Sequence, residues 1–216
     1  MLQEPDEQTI ISNLGINHSD LILFDVGAYD FITGIYFKQW FPKAKVYSFE
    51  PDIENIRNHR NSAIDAGIHT YPYALGDKND VVKFYPSLSI EGRYHKQAGS
   101  INKPIIKNGT VDEQIEFDRC KFDMNGYDVT VKRLDTVCEE NDITHIDYMH
   151  IDAQSYEKNI INGIGDVPVK FILTETVNFH QYESNIKHED EFHTFMLSKN
   201  YEIVQKYKYD TLYRKI

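Results

Sequence analysis

Short apolar runs that end in an acid recur along the chain, spaced far enough apart for a helix to lie between them, and this alternation constrains the fold most. Residues 21–27 (LILFDVG), 44–50 (AKVYSFE), 146–152 (IDYMHID) and 169–175 (VKFILTE) close on Asp25, Glu50, Asp152 and Glu175. A fifth run, 68–75 (IHTYPYAL), reads as the third strand and is followed by Gly76 and Asp77. Helical segments are expected at 31–41, stopped by Pro42, and from an Asp52 N-cap to about 66, stopped by Gly67. Two more are expected at 154–164 and 186–199. Strands alternating with helices of this length imply βαβ units, a parallel sheet and right-handed crossovers.

Before the first strand, residues 5–14 read as a short helix. After the last parallel strand, YEIVQKYK and DTLYRKI read as an antiparallel hairpin. Strands are also expected at 81–85 and 127–133, and the polar stretch between them is long enough to suggest a functional insertion. The expected architecture is a Rossmann-like α/β fold in one domain over 1–216. It has a mostly parallel seven-stranded sheet with the hairpin at its end, an N-terminal helical segment over 1–20, and an insertion or lid over 86–126.

With 216 residues, of which 41% are hydrophobic and 13% aromatic, the chain can bury a sizeable core. The net charge of −11, from 23 basic and 34 acidic side chains, argues against a nucleic-acid partner, because phosphate binding needs clustered Lys and Arg. No run is long and apolar enough to span a membrane. The N-terminal MLQEPDEQTI lacks the pattern of a signal peptide, so the expectation is a cytoplasmic protein with Cys120 and Cys138 reduced. The Asn17 and Asn108 glycosylation triplets then carry no weight. HEDEFH (188–193) spaces its histidines five apart, which does not match the zinc helix motif, and it reads as a solvated helix surface.

In doubly wound sheets the ligand sits outside the carboxyl ends of the strands. Gly27 there permits close backbone approach, and Glu50, at the end of the second strand, can accept hydrogen bonds from both ribose hydroxyls of a nucleoside. The extra glycines that make room for a pyrophosphate are missing, since Phe31 and Thr33 stand where they would be. S-adenosylmethionine has no pyrophosphate, and Asp25 with one glycine suits its amino-acid end. The other reading of Asp25 and Gly27 is a helix cap and a turn.

Taken in order, FDVGAYDFITG, FEPD, ALGDKNDVVKFY, AGSINK, VKRLDT, DYMHIDAQSYEKNIINGI and ILTE resemble the FkbM family of S-adenosylmethionine-dependent methyltransferases over residues 21–177. The terminal hairpin is likewise similar to that of class I methyltransferase folds. The resemblance implies methylation of a hydroxyl, on a sugar or another natural product, with a small molecule or glycan as partner. It places Asp25, Gly27, Ala28 and Tyr29 in the cofactor loop, Glu50 and Pro51 at the ribose, and Asp52, Ala74, Leu75, Gly76 and Asp77 on the adenine side. Gly99 and Ser100 match a Gly-Ser pair near the reacting groups. Members usually have Gly at position 31, and an Asp-x-x-Gly-x-Glu motif where this chain has Ser155 and Tyr156 between Asp152 and Glu157. Phe31 therefore predicts an altered loop path, and Tyr156 a narrowed or reshaped mouth.

Methyl transfer is an in-line displacement that requires alignment, and a poorly nucleophilic hydroxyl benefits from a base or a metal. His150 and Asp152, two apart on one strand, are the candidate base and its partner; the plainer readings are a packed strand histidine and a helix cap. A second option is Mg²⁺ or Mn²⁺ held by Asp152, Glu175 and His180, with Asn178 nearby. An NAD-dependent oxidoreductase or epimerase is disfavoured by the missing GxGxxG and Tyr-x-x-x-Lys. A non-catalytic adaptor with the same fold is the third class.

Overall fold

The computed structural model describes residues 2–15, 20–88, 96–105, 121–177, 182–184, 186 and 188–216. In chain order the first half contains α1 (Glu7–Asn13), β1 (Ile22–Val26), α2 (Ile32–Trp40), β2 (Lys45–Phe49), α3 (Ile53–Asp65), β3 (His69–Tyr71), β4 (Ala74–Gly76), β5 (Asp80–Phe84) and β6 (Ser87–Leu88). The second half contains β7 (Lys121–Phe122), β8 (Tyr127–Arg133), α4 (Leu134–Glu140), β9 (Ile146–Ile151), α5 (Glu157–Asn162), β10 (Val169–Glu175), α6 (Glu189–Ser198), β11 (Tyr201–Lys206) and β12 (Asp210–Lys215).

Seven strands form the main sheet in the order β11-β12-β10-β9-β1-β2-β3. The pairings of β3, β2, β1, β9 and β10 are parallel, and β12 runs antiparallel to both β10 and β11. The expected seven-stranded sheet and C-terminal hairpin are both present. All five residues of β1 are buried, as a strand covered on both faces requires.

Pleat alternation splits the core in two. Phe24, Val26, Phe49, Met149 and Ile151 face one cluster, with Leu134 and Val137 of α4, Ile160 of α5, and Phe192 and Met196 of α6. Leu23, Val46, Tyr148 and Leu173 face the other, with Ile10 and Ile11 of α1, Phe37 of α2 and Ala63 of α3. The result is a three-layer α/β/α domain. Among the described residues, no helix is long and apolar enough to cross a membrane.

The third strand departs from expectation. Pro72 has no N–H to donate, and the 68–75 run breaks there. Its first part, β3, completes the main sheet on β2. The second part, β4, leaves it and pairs in parallel with β8, which pairs antiparallel with β5, so a three-stranded sheet branches off. The helix expected from 154 begins only at Glu157, because Gln154 and Ser155 adopt left-handed backbone (φ 50° and 72°). The helix expected from 186 begins at Glu189, and α4 was not anticipated.

Candidate active site

The C-terminal ends of β1, β2, β4 and β9 surround a cavity with about 530 Å³ of empty space, open mouth included. Val26 and Phe49, paired in register on β1 and β2, line it beside Leu75, Tyr156 and Ile160, which give it apolar walls. Glu50, Asn55 and Asp152 supply polar groups, and none of the described lining residues is Lys or Arg. Among the described residues a pyrophosphate would therefore meet no counter-charge here.

Gly27 makes the crossing of the β1 turn and the end of β9 possible. Its φ is 82°, and a Cβ there would lie 1.8 Å from the backbone oxygen of Asp152. The Asp152 N–H donates to the Val26 carbonyl at 2.9 Å, locking the two segments together.

Glu50 is only 4% exposed. Its Oε2 accepts from the Tyr29 N–H at 2.8 Å, and its Oε1 from the Asp52 N–H at 2.7 Å and Asn55 Nδ2 at 3.3 Å. Burial pushes its carboxyl up to about 8 despite these donors. Tyr29, with φ 48°, hands its amide to Glu50 and lines the cavity.

Asp25 does not line the cavity. It faces the opposite side of β1, where its Oδ2 accepts from the Gly34 N–H at 3.2 Å and Ser48 Oγ at 3.1 Å, tying α2 and β2 to β1. Burial raises its carboxyl to about 6, with His150 opposing the rise. His150 pairs in register with Asp25 and shares that face. Its Nδ1 lies 3.1 Å from Glu7 Oε1 on α1, and Tyr148 Oη donates to the other Glu7 oxygen at 2.7 Å. Burial alone would lower the imidazole pKa, but Glu7, followed by Asp25 and Asp152, outweighs it and raises it to about 10. At neutral pH His150 is thus an imidazolium held by α1, outside the cavity lining, and it is unsuited to act as a base. Glu7, the group that makes it so, was not singled out in the sequence.

Asp152 lies just past the end of β9, exposed at the cavity mouth. Gln154 Nε2 donates to its Oδ1 at 2.7 Å. Asp152 does not cap α5: the N-cap is Tyr156, and Glu157 Oε1 instead accepts from the Ala153 and Ser155 amides at 3.1 and 3.2 Å. The insertion locks onto this loop. Ser100 Oγ donates to the Gln154 carbonyl at 2.7 Å, and Asn102 Nδ2 to the Ser155 carbonyl at 2.6 Å. Gln97, Gly99, Ser100 and Ile101 complete the cavity wall.

Of the other expected cofactor residues, Pro51, Ala74 and Leu75 line the cavity. Ala28 is packed in the α2-side core, and Asp52 caps α3 by accepting from the Glu54 N–H at 2.7 Å. Gly76 has no room for a side chain, since a Cβ would lie 2.6 Å from Val131 Cγ1. Asp77 Oδ2 accepts from Asn159 Nδ2 at 3.2 Å. These four are not among the cavity-lining residues. Asn55 was missed by sequence reasoning, although its place three residues after the Asp52 cap puts it on the helix face next to Glu50.

Among the described residues, no group of three or more His, Cys, Asp or Glu side chains is placed to hold a metal ion. His180 and Asn178, two of the residues expected near a metal, lie outside the described residues, as does Cys120.

Phe31 and Ser155, two positions where the family resemblance predicts glycine, both have left-handed backbone, with φ 63° and 72°. Phe31 thus keeps a turn that glycine would also adopt, and the expected change of path is unnecessary. Its ring, 1% exposed, anchors the turn in the α2-side core. Tyr156 is buried against Gly76 and forms part of the cavity wall.

The chain matches the family model for the methyltransferase FkbM domain over residues 25–203. It belongs to the FkbM methyltransferase family. It is 29% identical over 171 residues to the 2-O-methyltransferase NoeI of Sinorhizobium fredii (strain NBRC 101917 / NGR234), a match covering 77% of this chain and 68% of that protein. Its fold resembles the crystal structure of methyltransferase FkbM from Methylobacillus flagellatus KT, with a TM-score of 0.55 and 14% identity. That match covers 99% of this chain and 48% of the other, so the chain spans about half of that FkbM protein. Precorrin-6y C5,15-methyltransferase from Geobacter metallireducens GS-15 shares the fold with a TM-score of 0.50 and 10% identity, over 99% of this chain and 90% of that one.

Proposed function

We propose that this FkbM-family domain is an S-adenosylmethionine-dependent O-methyltransferase whose acceptor is a hydroxyl of a sugar or glycan. The observation that carries the cofactor reading is the pairing of Glu50, at the end of β2, with apolar walls and no basic residue among the described lining residues. Buried acceptors beside apolar walls suit a nucleoside, while the lack of Lys and Arg among the described lining residues disfavours a dinucleotide phosphate. The acidic lining also suits a cationic sulfonium. Methylation at oxygen is supported by the 2-O-methyltransferase relative, and the carbohydrate class by the family resemblance.

When bound, the cofactor supplies an electrophilic methyl group to the acceptor oxygen. The chain's own residues do the rest. Glu50 and the Tyr29–Asp52 turn fix the nucleoside, and Val26, Phe49, Leu75 and Ile160 exclude water around it. Asp152, at the mouth, orients the acceptor hydroxyl and takes its proton. The 96–105 segment, pinned to the Gln154–Ser155 turn, forms the acceptor-side wall of the insertion.

Calorimetry with S-adenosylhomocysteine tests the cofactor reading, and absence of binding at millimolar ligand sinks it. A methyl-transfer screen over sugars and sugar nucleotides, with and without Mg²⁺, tests the acceptor class. Asp152→Asn should then lower turnover and leave cofactor affinity nearly intact; a collapse of cofactor binding would make Asp152 structural.

A further inference from the structure

We infer that Asn55 is a ribose-binding residue, taking one hydroxyl of the nucleoside while Glu50 takes the other. The inference rests on the nucleoside-cofactor reading above and sharpens it. In its ionised form, the form that hydroxyl donors favour, a carboxylate offers about four lone-pair sites. In Glu50 three are already engaged, by the Tyr29 and Asp52 amides and by Asn55 Nδ2. One site remains, too few for both hydroxyls of a vicinal diol.

Asn55 supplies the missing acceptor. It stands in the first turn of α3, 2% exposed, and lines the cavity. Its Nδ2 is committed to Glu50 Oε1, and its Oδ1 is buried without any hydrogen-bond partner among the described residues. Glu50 Oε1 also accepts from the Asp52 amide, so it is an acceptor on this side and fixes the orientation of the Asn55 amide. A buried carbonyl left unpaired is costly, and such groups in folded proteins are almost always satisfied. Two adjacent acceptors, one open lone-pair site on Glu50 and the unpaired Asn55 carbonyl, on residues that line a cavity with apolar walls, match the two hydroxyl donors of a ribose. A hydroxyl lost from the ligand leaves one of these acceptors buried and bare, which makes the pair a selector for ribonucleosides over deoxynucleosides.

The test measures affinity, not turnover. Calorimetry compares S-adenosylhomocysteine with its 2′-deoxy and 3′-deoxy analogues on the wild-type chain and on Asn55→Ala. Each deoxy analogue should bind the wild type about tenfold more weakly, because each hydroxyl has its own acceptor. Asn55→Ala should lose about tenfold for the parent ligand, yet become indifferent to removal of one particular hydroxyl and stay sensitive to the other. If Asn55→Ala weakens all three ligands by the same factor, Asn55 is only structural and the inference fails. If the wild type tolerates loss of either hydroxyl, the inference fails without any variant being needed, which keeps the test decisive should Asn55→Ala not fold. No binding of S-adenosylhomocysteine to the wild type would overturn the cofactor reading itself, a separate outcome.

Discussion

Phe31 allows a stability test with an unusual sign. It is 1% exposed and has a φ of 63°, so two opposed contributions meet in one residue. Truncating a buried Phe to Ala costs about 3–5 kcal/mol, through lost transfer energy and the cavity left behind. A non-glycine residue in left-handed backbone costs about 1–2 kcal/mol, and Ala bears that cost as Phe does. Gly escapes it but adds about 0.4–1 kcal/mol of chain entropy in the unfolded state. Phe31→Ala should therefore be destabilised by about 3–5 kcal/mol, with Phe31→Gly about 0.5–1 kcal/mol more stable than the Ala variant. At an ordinary position the order is reversed, and Gly is the worse of the two. Urea unfolding of the three proteins, compared at equal m-values, reads the difference directly. An Ala variant as stable as the Gly variant, or more so, would refute the left-handed assignment.

The same backbone argument predicts that Ser155→Gly, at φ 72°, stabilises the chain by about 0.5–1 kcal/mol in the same unfolding assay, and a loss of stability would contradict it. Gly27→Ala should lose about 3 kcal/mol or more, because its Cβ meets the Asp152 backbone oxygen and its φ is 82°; a thermal midpoint close to wild type would disprove the close approach. Free Glu50 titrates at about 8, and hydroxyl donors favour its carboxylate, so the complex holds fewer protons than the free chain. Affinity for 5′-methylthioadenosine, which has no amino-acid end to titrate, should rise up to about tenfold from pH 7 to 9, and Glu50→Gln should abolish the dependence. His150, raised to about 10, adds stability that is full below its unfolded pKa of about 6.5 and is lost as pH rises through 10. In Glu7→Gln its NMR titration should move down toward neutrality, and an unchanged midpoint would remove Glu7 as the cause.

Which parts of the fold could be read from the sequence follows from how local their signals are. β1, β2, β9 and β10 are apolar runs with turn residues on both sides, and each stacks beside another run of the same kind. The β11–β12 hairpin is likewise contiguous. The β3–β4 break is different, because β4 finds its partner in β8, which begins far along the chain at Tyr127, and no local pattern announces that pairing. α4 has an Arg133 N-cap with no side-chain cap bond and is one of the shortest helices, so its start signal is absent.

The cavity lining could be read to the extent that strand ends could, and the departures from it share one cause. An acid near a carboxyl edge is expected to face the ligand, but a strand's side chains alternate between faces. Val26 lines the cavity, so Asp25, one residue earlier, must face away from it, and so must His150, its neighbour in register. Glu50 and Asp152 escape this parity because both follow the last residue of their strands, where the chain turns across the opening. Asp25 and His150 still contribute, one by holding α2 and β2, the other by joining α1 to the sheet. A substitution at either should thus appear first in stability, and one at Glu50 first in ligand affinity. That contrast separates the inner carboxylates from the outer ones where distance from the strand end does not.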